Sequence, residues 1–313
     1  MRTTRHPRAK PGAAAPGLSA PNESWPPGPL HIGISGWTYP PWRGVFYPKD
    51  LAQKRELHFA SRQFNTIEIN GSFYSLQRPS SYQLWNAETP PGFVFSVKGP
   101  RFITHMKKLR EVRVPLANFF ASGVLALREK LGPILWQFPP NFGWNEARFR
   151  EFFEMLPRET REAAALARLH DDKLKHGAWT TTDRSRPLRY AVEIRHPSFL
   201  VPEFFALLRE FKIAFVFADT AGKWPYADEL TADFAYIRLH GSEQLYVSGY
   251  SDRELELWAA RIENWRGGKK NRAIYCYFDN DAKVHAPFDA KKLAAMLQSG
   301  HGTTLDHRAR SGR

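Results

Sequence analysis

Residues 189–219 read RYAVEIRHPSFLVPEFFALLREFKIAFVFAD, and this stretch holds a complete unit of the fold. RYAVEIR is a β-rich run whose last four residues, VEIR, alternate apolar and polar side chains with the period of two that a strand requires. Pro202 opens the helical run EFFALLREF, at a first-turn position where its missing N–H costs nothing. IAFVFAD then returns as a second β-rich run. The reading is strand, helix, strand.

The same unit recurs in both directions. The strand candidates are 31–36 (HIGISG), 66–70 (TIEIN), 93–98 (FVFSVK), 133–138 (PILWQF), 189–195, 213–219, 234–240 (FAYIRLH) and 273–279 (AIYCYFD). Helical segments between them carry their own signals, such as Asp50 before LAQKRELHFASRQF and a Ser251/Glu254 capping box before LELWAARIENW. Strand and helix alternate throughout, which predicts an α/β chain folded as a single (β/α)8 TIM barrel over 30–298. A doubly wound sheet would bring a Gly-rich phosphate fingerprint, and GISGW and AGKW are not one. Residues 157–187 form an insertion between the fourth helix and fifth strand, expected as a helix and a mobile loop. Residues 1–29 read as a disordered basic, Pro-rich leader and 299–313 as a disordered tail.

Composition agrees with one large domain. The chain has 313 residues, 42% hydrophobic and 24% charged, enough to bury a substantial core and to exclude hormone-like, collagen-like and fully disordered classes. Lys and Arg outnumber Asp and Glu by 45 to 31, a net charge of +14, which favours an anionic partner such as nucleic acid or a phosphorylated compound. The charge is diffuse, with no long basic block. Cys276 is the sole cysteine, so an intrachain disulfide is excluded. No apolar run approaches the length that spans a bilayer, and the prolines of the leader forbid a targeting helix. A cytoplasmic protein without a membrane partner is expected.

Strand parity selects candidate site residues. If Ile67 and Ile69 meet the helices, Thr66, Glu68 and Asn70 turn into the barrel. Likewise Val192 and Ile194 outward put Glu193 and Arg195 inward, and Ile237 and Leu239 outward put Tyr236, Arg238 and His240 inward. The same reasoning turns Ser35, Ser96, Lys98, Gln137, Asp219, Tyr275, Tyr277 and Asp279 inward. Many of these lie at strand C-terminal ends, the face on which TIM-barrel sites are built. Glu68, Glu193 and Asp219 are candidate catalytic acids or bases. Ser35, Asn70, Lys98, Gln137, Arg195, Arg238, His240 and Asp279 are candidate ligand contacts. A salt-bridge network plugging one end of the barrel would use the same charges.

Loops add further candidates. Trp37, Tyr39, Trp42, Phe46 and Tyr47 cluster after the first strand, with Phe73 and Tyr74 after the second. Bases or sugar rings could stack there, Trp37 and Tyr74 being the better contacts and Trp42 and Phe46 the better core. His105 and His196 lie on loops over the same face, His105 being the one counted as a contact. Gly241 and Ser242 occupy a region where many barrels hold phosphate, although Asp279 and Asp281 at the neighbouring strand end would oppose one placed between them. A divalent metal is disfavoured, because Arg and Lys share the interior with the carboxylates and would repel it, so no cofactor is expected.

The phrases GISGWTYPPW (33–42), FNTIEINGSFY (64–74), VFSVKGPRFITH (94–105), GPILWQFPPNF (132–142), VEIRHPSF (192–199), YIRLHG (236–241) and YFDND (277–281) together resemble the domain of unknown function 72 family, the YecE-like proteins, across nearly all of 31–290. The resemblance implies a TIM barrel and supplies no activity. Through a suggested kinship with endonuclease IV-like barrels it implies nucleic-acid binding. Three functions stay open: an enzyme hydrolysing a phosphate-containing substrate by carboxylate acid/base chemistry, a non-catalytic nucleic-acid-binding module, and a carbohydrate-active hydrolase. The last is weakened because the fourth and seventh strands end in Gln137 and in Arg238 to His240, where common barrel glycosidases carry their carboxylate pair.

Overall fold

The computed structural model describes residues 28–267 and 271–299, so all but the innermost residues of the expected leader and tail lie outside the described residues. Eight strands, β1 (Leu30–Ser35), β2 (Thr66–Ile69), β3 (Val94–Lys98), β4 (Leu131–Gln137), β5 (Tyr190–Glu193), β6 (Ala214–Asp219), β7 (Phe234–Leu239) and β8 (Ala273–Phe278), pair in parallel in sequence order, and β8 closes onto β1. Each expected strand is present. The helices described around them are α1 (Glu56–Gln63), α2 (Gly71–Tyr74), α3 (Pro79–Glu88), α4 (Arg113–Ala121), α5 (Glu146–Met155), α6 (Thr160–Ala167), α7 (Pro202–Glu210), α8 (Asp252–Arg266) and α9 (Ala286–Gln298).

Local signals place most helix starts. Pro202 sits in the first turn of α7, and Ser251 and Glu254 close a complete capping box on α8. Asp50 caps nothing, since α1 begins only at Glu56 behind a short 3-10 turn, Gln53–Arg55. Strict alternation also fails once, because no helix joins β6 to β7 among the described residues. Pro225, Gly222 and the left-handed Ala221 (φ 50°) break that segment. Tyr226 instead reaches Phe217 from the loop, while Trp265 of α8 stacks on the same ring at 4.3 Å. In the insertion, α6 is followed by a loop tied to the body by Trp179 N–H on the Ala121 carbonyl (2.7 Å) and by Asp171 on Asn118.

Two apolar layers result. The larger lies between strands and helices and takes Ile67, Ile69, Val192, Ile237 and Leu239. The smaller fills the barrel interior with Leu135, Ala191, Ala214, Val216, Ala218, Tyr236, Tyr275 and Tyr277. Polar tips in the interior find partners, as burial demands. The Tyr277 hydroxyl bonds Thr66 Oγ1 (2.8 Å) and Ser96 Oγ (2.6 Å). Above these residues, towards the strand C-termini, the filling changes from apolar to ionic.

Candidate functional site

Arg238 is the centre of that ionic layer and is fully buried. Its Nε donates to Glu68 Oε2 (3.2 Å) and its Nη2 to Glu68 Oε1 (2.9 Å) and Asp279 Oδ2 (2.7 Å). Its Nη1 donates to Glu193 Oε2 (2.7 Å) and lies 3.3 Å from His240 Nε2. A guanidinium has five N–H groups, and all five are engaged. Arg238 therefore has nothing left for a ligand, which corrects its expected role as an anion contact.

Glu68 is equally saturated. Beyond Arg238, its oxygens accept from Ser35 Oγ (3.1 Å) and the Tyr236 hydroxyl (2.6 Å), and both Glu68 and Ser35 are sealed from solvent. A base needs a free lone pair within reach of substrate, so this geometry suits Glu68 to holding Arg238, and Ser35 to holding Glu68. Glu193 accepts from Arg238 and from Arg195 Nε (3.0 Å). Burial alone would raise its pKa, but Arg238, Arg195, His240 and Lys98 together hold it below the usual carboxylate range. It is a counter-ion first.

Lys98 differs from every other charge in the layer. It is 8% exposed, its Nζ lies 4.4 Å over the Phe73 ring, and it makes no ion pair or hydrogen bond with the described residues. Burial, with Arg238 second, lowers its pKa from 10.5 to about 8. Gln137 on the next strand and Arg195 just past β5 complete an arc along successive strand ends. The Gln137 amide makes no hydrogen bond with the described residues. Arg195 also stacks on Trp224 (5.1 Å) and bonds the Tyr246 hydroxyl (3.3 Å). His105 stands edge-on to Phe73, with its pKa lowered to about 4 by burial and by Lys98 and Arg195. Asn70, capping α2, has a buried Oδ1 without a partner.

Across the mouth, Asp279 faces Arg238 and has its Oδ2 3.0 Å from the buried His240 Nδ1, off the alignment of a good hydrogen bond. Arg238 and His240 outweigh burial and keep Asp279 ionised. Burial and the charge of Asp279 push the pKa of its neighbour Asp281 well above the ordinary carboxylate range, beside Tyr39, whose hydroxyl bonds the Ser35 carbonyl. The pKa values of the two carboxyls are thus driven apart. Parity reasoning stopped one step short of Asp281, although the DND of 279–281 places it on the same side as Asp279. Tyr246 gave no signal, since it reaches the mouth from an irregular loop.

Several expected contacts are elsewhere. Asp219 points to the helix layer and accepts from the Tyr250 hydroxyl (3.2 Å), because Ala214, Val216 and Ala218 are the interior residues of β6. Trp37 also turns outward, edge-on to Trp85 at 5.2 Å. Trp42, Phe46 and Tyr47 are core, so the first loop offers no broad stacking platform. Tyr74 is exposed under Arg101. His196 bonds Ser198 and starts a 3-10 turn. The Gly241 N–H donates to the Tyr250 hydroxyl and Ser242 Oγ to the Gly249 carbonyl, which occupies the suggested phosphate donors. Among the described residues no group of three or more His, Cys, Asp or Glu side chains is arranged to hold a metal ion, and no helix is long and apolar enough to cross a membrane.

The sequence profile of a family described as "Protein of unknown function DUF72" matches residues 31–311. The UPF0759 protein YecE of Escherichia coli K12 is 26% identical over 173 residues, 54% of this chain and 50% of the relative. YunF of Bacillus subtilis is 28% identical over 124 residues, 36% of this chain and 41% of the relative. The chain thus spans about half the length, or less, of the curated relatives it matches. Among solved structures, a DUF72 family protein of Thermotoga maritima has 27% identity and a TM-score of 0.68, covering 86% of this chain and 99% of that one. One from Enterococcus faecalis, at 15% identity and TM-score 0.65 over 86% of this chain and 95% of that one, shares the fold.

Proposed function

The chain belongs to the DUF72 family, and from that premise we propose that the C-terminal mouth of its barrel binds a phosphorylated ligand and hydrolyses it. The observation that carries the reading is Lys98: a buried ammonium without a direct ion-pair or hydrogen-bond contact is costly, and a ligand anion would supply that contact. Arg195 and Gln137 stand beside it as further donors. Asp281, its pKa raised well above the ordinary carboxylate range by burial and by Asp279, is the group suited to give a proton to the leaving oxygen. Burial of the first-loop aromatics favours a small ligand over a polynucleotide track. Calorimetric titration of the wild type and Lys98→Met with inorganic phosphate tests the binding. Saturable binding weakened at least about tenfold, the worth of one charge-assisted contact, is expected; absence of binding, or equal binding by the variant, would overturn the proposal. A chromogenic phosphate ester turned over by the wild type but not by Asp281→Asn is the expected hydrolytic signature.

A further inference from the structure

Next to the mouth, α2 and the one-turn π-helix Phe102–Met106 enclose a groove of about 340 Å³. We infer that the ligand is a nucleoside monophosphate, with its phosphate at Lys98 and its base in this groove; the inference rests on the phosphate reading above.

Continuity comes first. Phe73 is the ring under Lys98 Nζ and also a wall of the groove, and Tyr74 follows edge-on at 5.1 Å. A phosphate at Lys98 therefore places whatever it carries against Tyr74. The groove is also mainly apolar, with Tyr74 67%, Met106 67% and Phe102 39% exposed along it. Its charged lining residues, Arg101 and Lys173, are both basic, which suits a ligand bearing negative charge.

The choice of a base over an aliphatic chain rests on Arg101. Its guanidinium lies 5.5 Å from the centroid of the exposed Tyr74 ring, a cation–π contact to which a heteroaromatic ring could add its own face and whose N–H groups match ring acceptors. An alkyl chain would use neither. The volume sits at the lower end of small-molecule pockets, enough for one base and not for a strand. Past the π-helix, Lys108 (φ 46°), Leu109 (φ 65°) and Glu111 (φ 50°) hold left-handed conformations, the strained backbone that concentrates at ligand sites.

The test titrates the full chain, its Tyr74→Ala variant and Lys98→Met with inorganic phosphate, ribose 5-phosphate, adenosine and uridine monophosphates, and a single-stranded decanucleotide. We expect at least one nucleotide to bind about tenfold more tightly than ribose 5-phosphate, the worth of one base–aromatic stack. Tyr74→Ala, at an exposed position, should erase that gain and leave ribose 5-phosphate binding alone, whereas Lys98→Met should weaken both. Equal affinity for nucleotide and ribose 5-phosphate would overturn the inference and leave the phosphate site standing. No binding of any phosphate would overturn both. A decanucleotide bound far more tightly than a mononucleotide would replace a small-molecule site with a polymer track.

Discussion

Lys98 shows what burial does to a charge that makes no direct ion pair. Its pKa falls from 10.5 to about 8 because desolvation and Arg238 both oppose the ammonium. Between those values the unfolded chain binds the proton that the folded chain has lost, so stability rises with pH across that window. Below about pH 8 both states are protonated and the full cost is present, on the order of 3 kcal/mol for such a shift. Urea denaturation should therefore find Lys98→Met more stable than the wild type at pH 7, with the difference shrinking by pH 10. A constant difference across that range would mean the ammonium is solvated. The same cost relates stability to function, since an anion at the mouth would return the pKa of Lys98 towards its ordinary value. Parity found this residue because Phe95 and Val97 face the helix layer and leave Ser96 and Lys98 for the interior. It could not show that Lys98, rather than Arg238, is the cation without a direct ion pair.

The limits of that reasoning are clearest in one strand. In β2, β5 and β7 a charged residue stands between two large aliphatic ones, and the phase is unambiguous. β6 reads AFVFAD, apolar on both faces, as strands of parallel sheets are when both sides are buried. Its phase is set by size: Phe215 and Phe217 fill the wide space under the helices, while Ala214, Val216 and Ala218 fit beside the inward tyrosines of β7 and β8. Read as large and small, the strand turns Asp219 outward; read as polar and apolar, it does not. The missing helix after β6 was hidden for a related reason, since Trp224 and Tyr226 imitate the hydrophobicity of a helical face while Gly222 and Pro225 forbid the helix. Asp219→Asn accordingly should leave phosphate affinity at the mouth unchanged. Burial already raises the Asp219 pKa, so loss of its charge should not destabilise the fold at pH 7. A loss of affinity comparable to that in Lys98→Met would return Asp219 to the site.

At the scale of the molecule, the C-terminal end of the barrel is closed by an ionic plug that spans it. Arg238 on β7 reaches Glu68 on β2, Glu193 on β5 and Asp279 beyond β8, so one side chain ties together β2, β5 and β8, no two of which pair with each other. The sequence named nearly all of these residues, yet it could not connect them, because strand parity says which side chains enter the interior and nothing about which meet. The pH dependence of folding tests the plug as a unit. Glu193 and Asp279 are depressed in the folded state, so their stabilisation is present above the ordinary carboxylate range and is lost as pH falls through and below it. Asp281, whose pKa is raised, has the opposite sign, its contribution to stability growing as pH falls. Arg238→Met strands three carboxylates without their common cation, a loss of about 3–5 kcal/mol for a buried pair broken on one side. Their pKa values must then rise, so protonation relieves the variant where it harms the wild type. Thermal unfolding from pH 7 to pH 5 should show the variant gaining more stability than the wild type. Parallel pH slopes for the two proteins would mean that Arg238 does not hold the carboxylates ionised, and the division of labour between a closed plug and an open Lys98 would fall with it.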